Sequence, residues 1–346
     1  MILWVLNRDM TREGLIENFE SLIWAKRYWK CGDFELYLPA SEDMLSLLKQ
    51  DRYIQREDDD SLMIIEKIEV TTDSEDGNHL IVSGRSFESI LDRRIVWKQR
   101  TYSGAAEDVI ERLLSESMMN PAIEARRINH MGFSAVQSGS GQLRAQYTGT
   151  SIYEAVSELC ESYGLGFKFG ADLIFRMYKG TDRSAGQSLN PRVIFSPVYD
   201  NLLESDYYTD KKEYKTMILV AGEGEGSARK YLSYGTQQSG INRRELFVDA
   251  RDVQSEDADG NVMTNAEYTA ALTDKAVEQY SLHRTETEFS GTIDAGMTYE
   301  YRRDYDLGDI VTVENEYGMT ENCRITEIIE SWDTSGYKVV PTYVQV

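Results

Sequence analysis

Proline is scarce in this 346-residue chain, five residues in all, and no Ser/Pro-rich run interrupts it. That leaves little room for a flexible linker, and the whole length reads as folded. Cysteine is scarcer. Cys31, Cys160 and Cys323 lie far apart without CxxC spacing, which argues against a disulfide framework or a zinc site. Only three histidines are present, His79, His130 and His283, and none sits in a GxSxG elbow, an HExxH helix or a cysteine-protease context. No apolar run approaches the roughly 18–20 residues that cross a bilayer. The opening MILWVLNRDM turns to charge too soon for a signal peptide and has no basic leader. The expectation is a soluble chain that folds in a reducing cytoplasm.

Positive charge is also short. Acidic residues outnumber basic ones 59 to 37, a net charge of −22, and the densest basic run, Leu91 to Arg100, is interrupted by apolar residues. Such a surface repels nucleic acid and anionic lipid, yet it suits a wall past which DNA must slide. What is abundant is apolar and aromatic: 41% hydrophobic residues and 22 tyrosines mark a folded protein whose length suits two or three domains.

The first hundred residues read mostly as strands. Phe34, Leu36 and Leu38 alternate after a turn at Cys31-Gly32-Asp33, and a hairpin is expected around Asp76-Gly77. A short helix is expected over Phe87 to Arg93. The middle turns helical: Ala106, Val109, Ile110, Leu113 and Leu114 share one face, as do Ile152, Val156, Leu159 and Tyr163. Ser151 and Glu154 have capping-box spacing, and Gly164 is a natural stop. Each helix follows a Tyr-Ser/Thr-Gly step, at Tyr102 and Tyr147, the pattern of a duplicated strand–helix unit. Strands return from about Asn190, with one helix from Thr264 to about Leu282, capped by Thr264 and Glu267. The expected fold class is α+β and mainly β: a β domain over 1–100, an α/β segment with two helices over 101–189, and a second β domain with one inserted helix over 190–346.

One stretch imitates a phosphate loop. ILVAGEGEGSARKY, Ile218 to Tyr231, spaces Gly222, Gly224 and Gly226 two apart ahead of Arg229 and Lys230. Glu223 and Glu225 would stand where phosphate oxygens belong, and both flanks read as strands, so a strand–turn–strand connection is expected and no nucleotide site. SEDADGN puts Ser255, Asp257, Asp259 and Gly260 at calcium-loop positions, but Ala266 occupies the place of the bidentate glutamate. A solvated acidic turn is the better reading there, and a hairpin tip for Glu57 to Ser61. Cys160 reads as core packing. A carboxylate pair for glycoside hydrolysis carries no signal, because 59 acids offer countless pairs. No catalytic, cofactor-binding or metal-binding residue is assigned. The run WAKRYWK, Trp24 to Lys30, reads as an interface, since interfaces favour Trp, Tyr and Arg.

Five segments occur in a telling order: SLIWAKRYWKCGDFELYLPA, LIVSGRSFESILDRRIV, PRVIFSPVYDNLLESDYYTDKKEYKTMILVAGEGEG, NRRELFVDARD and YDLGDIVTVENEYG. They resemble the tail-hub proteins of siphophages, a group related to baseplate hub and tail-associated proteins of phages and prophages, and the resemblance spans nearly the whole chain. It implies two tube-type β domains flanking the α/β segment in a hub-like ring subunit. Three copies would form a ring, a homotrimer of approximate sixfold symmetry, joining the hexameric tail tube to the trimeric tip. Its implied partners are a tail tube or distal tail ring protein, tip or fibre proteins and, as a further candidate, a tape-measure protein. DNA would pass through the lumen without specific binding, with no membrane contact and no cofactor. The implied place is the virion tail, assembled in the host cytoplasm. The residues expected at assembly contacts are Trp24, Tyr28 and Trp29, with Leu307, Gly308 and Asp309, where Gly308 sets a turn and Asp309 accepts backbone N–H bonds. Some tail-associated proteins carry a C-terminal peptidase or muralytic extension, whereas this sequence stops at Val346 after its last strand, so cell-wall digestion is not expected. The alternatives are a tail-associated hydrolase with a carboxylate pair and a carbohydrate-binding receptor module.

Overall fold

In the computed structural model, which describes residues 1–73, 77–137, 139, 141–256, 262–293 and 298–346, the chain is mainly β, with 41% strand against 21% helix. It divides into two compact units, both discontinuous in sequence. Unit 1 takes 1–89, 166–207 and 288–346; unit 2 takes 90–165 and 208–287.

Unit 1 is organised by strand alternation. In Asp33–Pro39 the side chains of Phe34, Leu36 and Leu38 turn inward while Glu35 stays exposed, the period-two pattern of a strand with one face on a core. This strand lies in a ten-stranded sheet. From one edge the order is Leu202–Asp210, Glu286–Ile293, Gly336–Gln345, Thr320–Asp333, Ser21–Arg27, Asp33–Pro39, Gly77–Arg85 and Lys67–Asp73, and Ile310–Glu314 pairs aside with Thr320–Asp333 and with Ile194–Phe195. The first and last parts of the chain therefore meet in one sheet: Trp24 lies opposite Glu330, and Lys26 opposite Ile328. A second, four-stranded sheet has the order Arg12–Ile16, Leu3–Leu6, Tyr53–Arg56, Leu62–Ile64. A short helix, α1 (Glu42–Leu47), is capped by Ser41, whose Oγ accepts from the Met44 N–H at 3.2 Å. No sequence expectation covered it, because six residues show too little periodicity.

The segment after Ser61 departs from the simple hairpin. Leu62–Ile64 belongs to the four-stranded sheet, and Lys67–Asp73 to the ten-stranded one. The switch happens at two adjacent residues: the Ile65 N–H bonds the Arg52 carbonyl at 2.9 Å, and the Glu66 N–H bonds that of Ser83 at 3.0 Å. Gly77 has φ +89, as a tight hairpin needs, and Asp76 lies outside the described residues.

Unit 1 holds two hydrophobic cores. One gathers Leu3, Val5, Leu22, Trp24, Phe34, Leu36 and Ile54 with others from the first 89 residues, and the second gathers Tyr28 with Phe195, Phe289, Val311, Ile325 and Tyr343. At about 2 kcal/mol per fully buried large apolar side chain, either set is sizeable for a small β module.

Unit 2 carries the helical middle. The chain forms Arg100–Gly104, then α2 (Ala106–Leu114), then Leu143–Tyr147 and α3 (Ile152–Ser162). The two strands pair antiparallel, so each helix follows a strand, as the repeated Tyr step suggests. Ala106, Val109, Ile110, Leu113 and Leu114 are buried on α2, and Ile152, Ala155, Val156, Leu159 and Cys160 on α3; Tyr163 sits at the α3 cap and is only part-buried. Gly164 has φ +63. The Ser151 capping box does not form, because Ser151 Oγ bonds Asp92 Oδ1 at 3.1 Å instead. Downstream, α4 (Asn265–Leu282) packs on the sheet Tyr231–Gly235, Met217–Ala221, Glu245–Asp249, with Tyr268, Ala271, Leu272 and Ala276 against Ile218 and Val220. The helix expected as an insertion in the second β domain thus shares unit 2 with the two middle helices.

At the start of α4 the capping box is complete: Thr264 Oγ1 accepts from the Glu267 N–H at 3.3 Å, and Glu267 Oε2 accepts from the Thr264 N–H at 2.8 Å. Thr264→Ala is expected to destabilise the protein by about 1 kcal/mol in urea unfolding, while Ser151→Ala, with no capping bond to lose, should cost less.

Candidate functional site

The hairpin Tyr53–Arg56 and Leu62–Ile64 carries the acidic stretch Glu57 to Ser61 at its tip, as the sequence suggested. That tip is not simply solvated. Arg56 and Glu330 are 1% and 2% exposed, and they pair through Arg56 Nη1 to Glu330 Oε2 at 2.8 Å and Nη2 to Oε1 at 3.2 Å. Arg56 Nε also donates to Asp58 Oδ1 at 2.9 Å. Its guanidinium lies 4.3 Å from the Trp332 ring centroid and 5.6 Å from that of Trp24, so its faces meet indoles while its edge meets carboxylates. Arg302 Nη2 donates to Glu330 Oε2 at 3.1 Å, and the Tyr337 hydroxyl donates to Glu330 Oε1 at 2.9 Å. Asp59 pairs with both Lys26 and Arg302 and accepts from the Ser61 N–H at 2.8 Å.

Three cations, Lys26, Arg56 and Arg302, thus face three carboxylates, Asp58, Asp59 and Glu330, inside unit 1. Burial opposes ionisation of Asp59, but Lys26 and Arg302 outweigh it and hold the carboxyl far below the ordinary range. The members come from four separate stretches of chain, and no local motif announces them.

A second node surrounds Tyr28. Its hydroxyl accepts from the Gly180 N–H at 3.2 Å, and the Arg324 guanidinium sits 5.3 Å from its ring centroid. Arg324 Nη1 donates to the Gly308 carbonyl at 2.8 Å. Gly308 has φ +92, and a Cβ there would stand 2.2 Å from Tyr28 Cε2, so both backbone conformation and space demand glycine. Asp309 Oδ1 accepts from the Thr181 N–H at 2.7 Å, and Oδ2 from Arg183 Nε at 2.7 Å and the Asp306 N–H at 3.1 Å.

The residues expected at an assembly contact therefore lie mostly inside. Trp24 and Tyr28 have no exposed surface, Leu307, Gly308 and Asp309 are buried, and Trp29 is half-buried against the second core. The structure brings Tyr28, Gly308 and Asp309 together as packing within one copy, and Trp24 belongs to the other core. Aromatic-rich sequence marks a core as readily as an interface, because both bury aromatics. Exposed apolar side chains lie elsewhere: Leu203, Tyr207 and Tyr208 on one edge strand of the ten-stranded sheet, Val70 on the other, and Leu219, Tyr231 and Phe247 on the sheet of unit 2.

The glycine stretch is a connection between strands Met217–Ala221 and Tyr231–Gly235. A Cβ at Gly222 would stand 2.2 Å from the Tyr268 hydroxyl oxygen, which accepts from the Glu223 N–H at 2.7 Å and donates to the Val253 carbonyl at 3.1 Å. Arg229 folds back and donates to the carbonyls of Gly222 and Ala221 at 2.8 and 2.9 Å. The protein's own groups take the place a ligand would need. Asp257, Asp259 and Gly260 of the calcium-like loop lie outside the described residues. Among the described residues no group of three or more His, Cys, Asp or Glu is placed to hold a metal ion, and no helix is long and apolar enough to cross a membrane. Cys160 is fully buried, and burial raises its thiol far above the ordinary range. Burial, and next Glu321, push Cys323 up to about 12.

The sequence profile of the Siphovirus ReqiPepy6 Gp37-like proteins matches residues 2–343. The chain belongs to that family. In fold it is similar to the 43 kDa tail protein of prophage MuSo2 from Shewanella oneidensis, at a TM-score of 0.62 and 12% identity, covering 100% of this chain and 98% of the other. It is similar as well to the prophage tail protein gp18 of Listeria monocytogenes, TM-score 0.60 and 11% identity over 99% and 94%, and to a tail protein of Neisseria meningitidis, TM-score 0.59 and 12% identity over 99% and 96%. No curated protein matches it in sequence. The chain thus has the fold of these phage and prophage tail proteins.

Two outcomes follow from the buried charges. Glu330→Ala removes the buried partner of Arg56 and leaves it only the more exposed Asp58, and the loss in urea unfolding should be about 3 kcal/mol. Because the folded state holds Asp59 ionised to lower pH than the unfolded chain does, its contribution is full above about pH 4 and disappears as pH falls further. The acid limb of the thermal midpoint should therefore be shallower in Asp59→Asn than in the wild type.

Proposed function

We propose that this chain is the hub subunit of a phage or prophage-derived tail: three copies close into a ring that joins the sixfold tail tube to the threefold tip and encloses the DNA path. The observation that carries this reading is the pair of β cores in unit 1, one from the first 89 residues and one assembled mostly from 193–343. Two β modules per copy, taken three times, supply six similar modules to meet a sixfold tube. The ring contacts are assigned to the edge strands of the ten-stranded sheet, Lys67–Asp73 and Leu202–Asp210, since a sheet edge can extend its pairing into a neighbouring chain. The side chains of Leu203, Tyr207 and Tyr208 add apolar area there. A net charge of −22 favours a lumen to which DNA does not adhere.

The neighbours in this reading are a tail tube or distal ring protein on one side and tip or fibre proteins on the other, with assembly in the host cytoplasm. The work is architectural, and no residue is assigned to bond-making chemistry. Light scattering behind a sizing column is expected to give a mass near three times 39.6 kDa, falling toward the monomer in a Leu203→Lys, Tyr208→Lys variant. A wild-type monomer that stays monomeric with its tail partners present would overturn the ring. Clearing of cell walls by the purified chain would instead favour the hydrolase.

A further inference from the structure

In unit 2 the densest basic run of the sequence, Leu91 to Arg100, is joined by a second basic segment. The run is first fixed by its backbone: the Val96 N–H bonds the Thr150 carbonyl at 2.9 Å, and the Ile152 N–H bonds that of Arg94 at 2.9 Å. The single helical turn Glu124–Arg126 then docks on it through two arginines. Arg94 Nε donates to the Arg126 carbonyl at 3.0 Å, and Arg126 Nη2 donates to the Ile95 carbonyl at 2.6 Å. The Arg126 guanidinium stands 5.4 Å from the Trp97 ring centroid.

These arginines use neutral acceptors. Among the described residues no carboxylate pairs with Arg94, Arg126 or Lys98, although acids outnumber bases 59 to 37 in the chain. The acids nearby in sequence are engaged elsewhere: Asp92 accepts from Ser151 Oγ at 3.1 Å, Glu124 pairs with Arg127 at 3.3 Å, and Glu116 with Arg100 at 3.2 Å. Arg94 Nη2 and Arg126 Nε and Nη1 keep their N–H groups for other acceptors. Burial, and next the charge of Arg94, lower the Arg126 value, as befits a cation that meets another cation and no anion. The same two segments carry Trp97, which is 61% exposed, and the exposed side chains of Ile95 and Ile123.

We propose that this face of unit 2 docks an acidic protein segment with an apolar side chain, its carboxylates on Arg94, Arg126 and Lys98 and its apolar side chain on Trp97. The composition selects that partner. Tryptophan and arginine dominate the energetics of protein interfaces, and a guanidinium fork matches a carboxylate. A phosphate backbone calls for cations with little apolar surface between them, whereas Ile95, Trp97 and Ile123 place apolar area among these cations. With a net charge of −22 the rest of the surface repels an acidic segment, so the attraction is confined to this face.

The test is fluorescence anisotropy on the full chain with a labelled peptide, Asp-Glu-Asp-Leu-Glu-Asp-Phe-Glu-Asp, beside a labelled oligothymidylate of equal charge. The peptide should bind at low salt and weaken about tenfold as sodium chloride rises from about 50 to about 300 mM. Trp97→Ala and Lys98→Glu, both at exposed side chains, should each weaken it about tenfold or more. Lys212→Glu, at an exposed cation elsewhere in unit 2, should leave it unchanged. No binding by the wild type at about 100 µM, or equal weakening in Lys212→Glu, overturns the proposal. Tighter binding of the oligothymidylate overturns it in favour of nucleic acid, and a drop in solution mass in Trp97→Ala overturns it in favour of a second copy. Should the variants misfold, amide hydrogen exchange on the unsubstituted chain decides. Added peptide should protect 93–98 and 123–127, and protection confined to other segments would overturn the site. The peptide readouts do not depend on the ring, whose own test is the wild-type mass in solution.

Discussion

Unit 1 depends on a buried charge being matched. Arg56, at the end of the strand Tyr53–Arg56, has its guanidinium out of water, held locally by Asp58 and, about 270 residues later, by the buried bidentate carboxylate of Glu330. Desolvating either group alone would cost several kcal/mol, so the two segments are held to one register. That register is the pairing of Ser21–Arg27 with Thr320–Asp333, which places Glu330 opposite Trp24 and leaves the guanidinium close to the rings of both Trp332 and Trp24. A slip of one residue would turn Glu330 to the other face and strand the arginine. The charge network thus specifies which ends of the chain meet, while the two apolar cores supply most of the stabilisation.

Acid groups divide by surroundings. Asp59 lies among cations, and its contribution is lost on acidification; Glu158 is raised by burial first and next by the charge of Glu278, and its contribution is lost as pH rises. Glu88 is a third case: burial raises it even though its carboxyl accepts from the Phe169 N–H at 2.7 Å. A chain with net charge −22 could be expected to titrate as a repelling acidic surface. Its buried carboxylates nonetheless respond in opposite directions, because their neighbours differ in sign.

In the proposed ring each copy would present the same edges, and rigidity at those edges would come from the sheet interior. Gly308, Tyr28, Arg324 and Asp309 lock the approach to the last strands, so that the second core keeps its shape up to the open strand Leu202–Asp210. A phosphate-loop look-alike and an interface-like aromatic run resolve into the same purpose. Arg229 and Tyr268 fold onto the glycine connection, and Trp24 and Tyr28 fill cores.

Local pattern was enough for much of this. The helical faces of α2, α3 and α4, the Thr264–Glu267 cap, the Phe34-Leu36-Leu38 alternation and the strand–turn–strand connection at the glycine stretch all rest on interactions a few residues apart, which sequence spacing encodes directly. The mainly β class and the family likeness were legible for the same reason. Tertiary structure decided the rest. Ser151 lost its cap to Asp92, the strand after Ser61 divided between two sheets, and 208–287 joined the middle of the chain in unit 2. It also turned Trp24 and Tyr28 inward and brought Arg56, Asp59, Arg302 and Glu330 together. Those outcomes depend on partners tens to hundreds of residues away, and one-dimensional spacing carries no record of which distant group will supply the matching charge or the missing hydrogen bond.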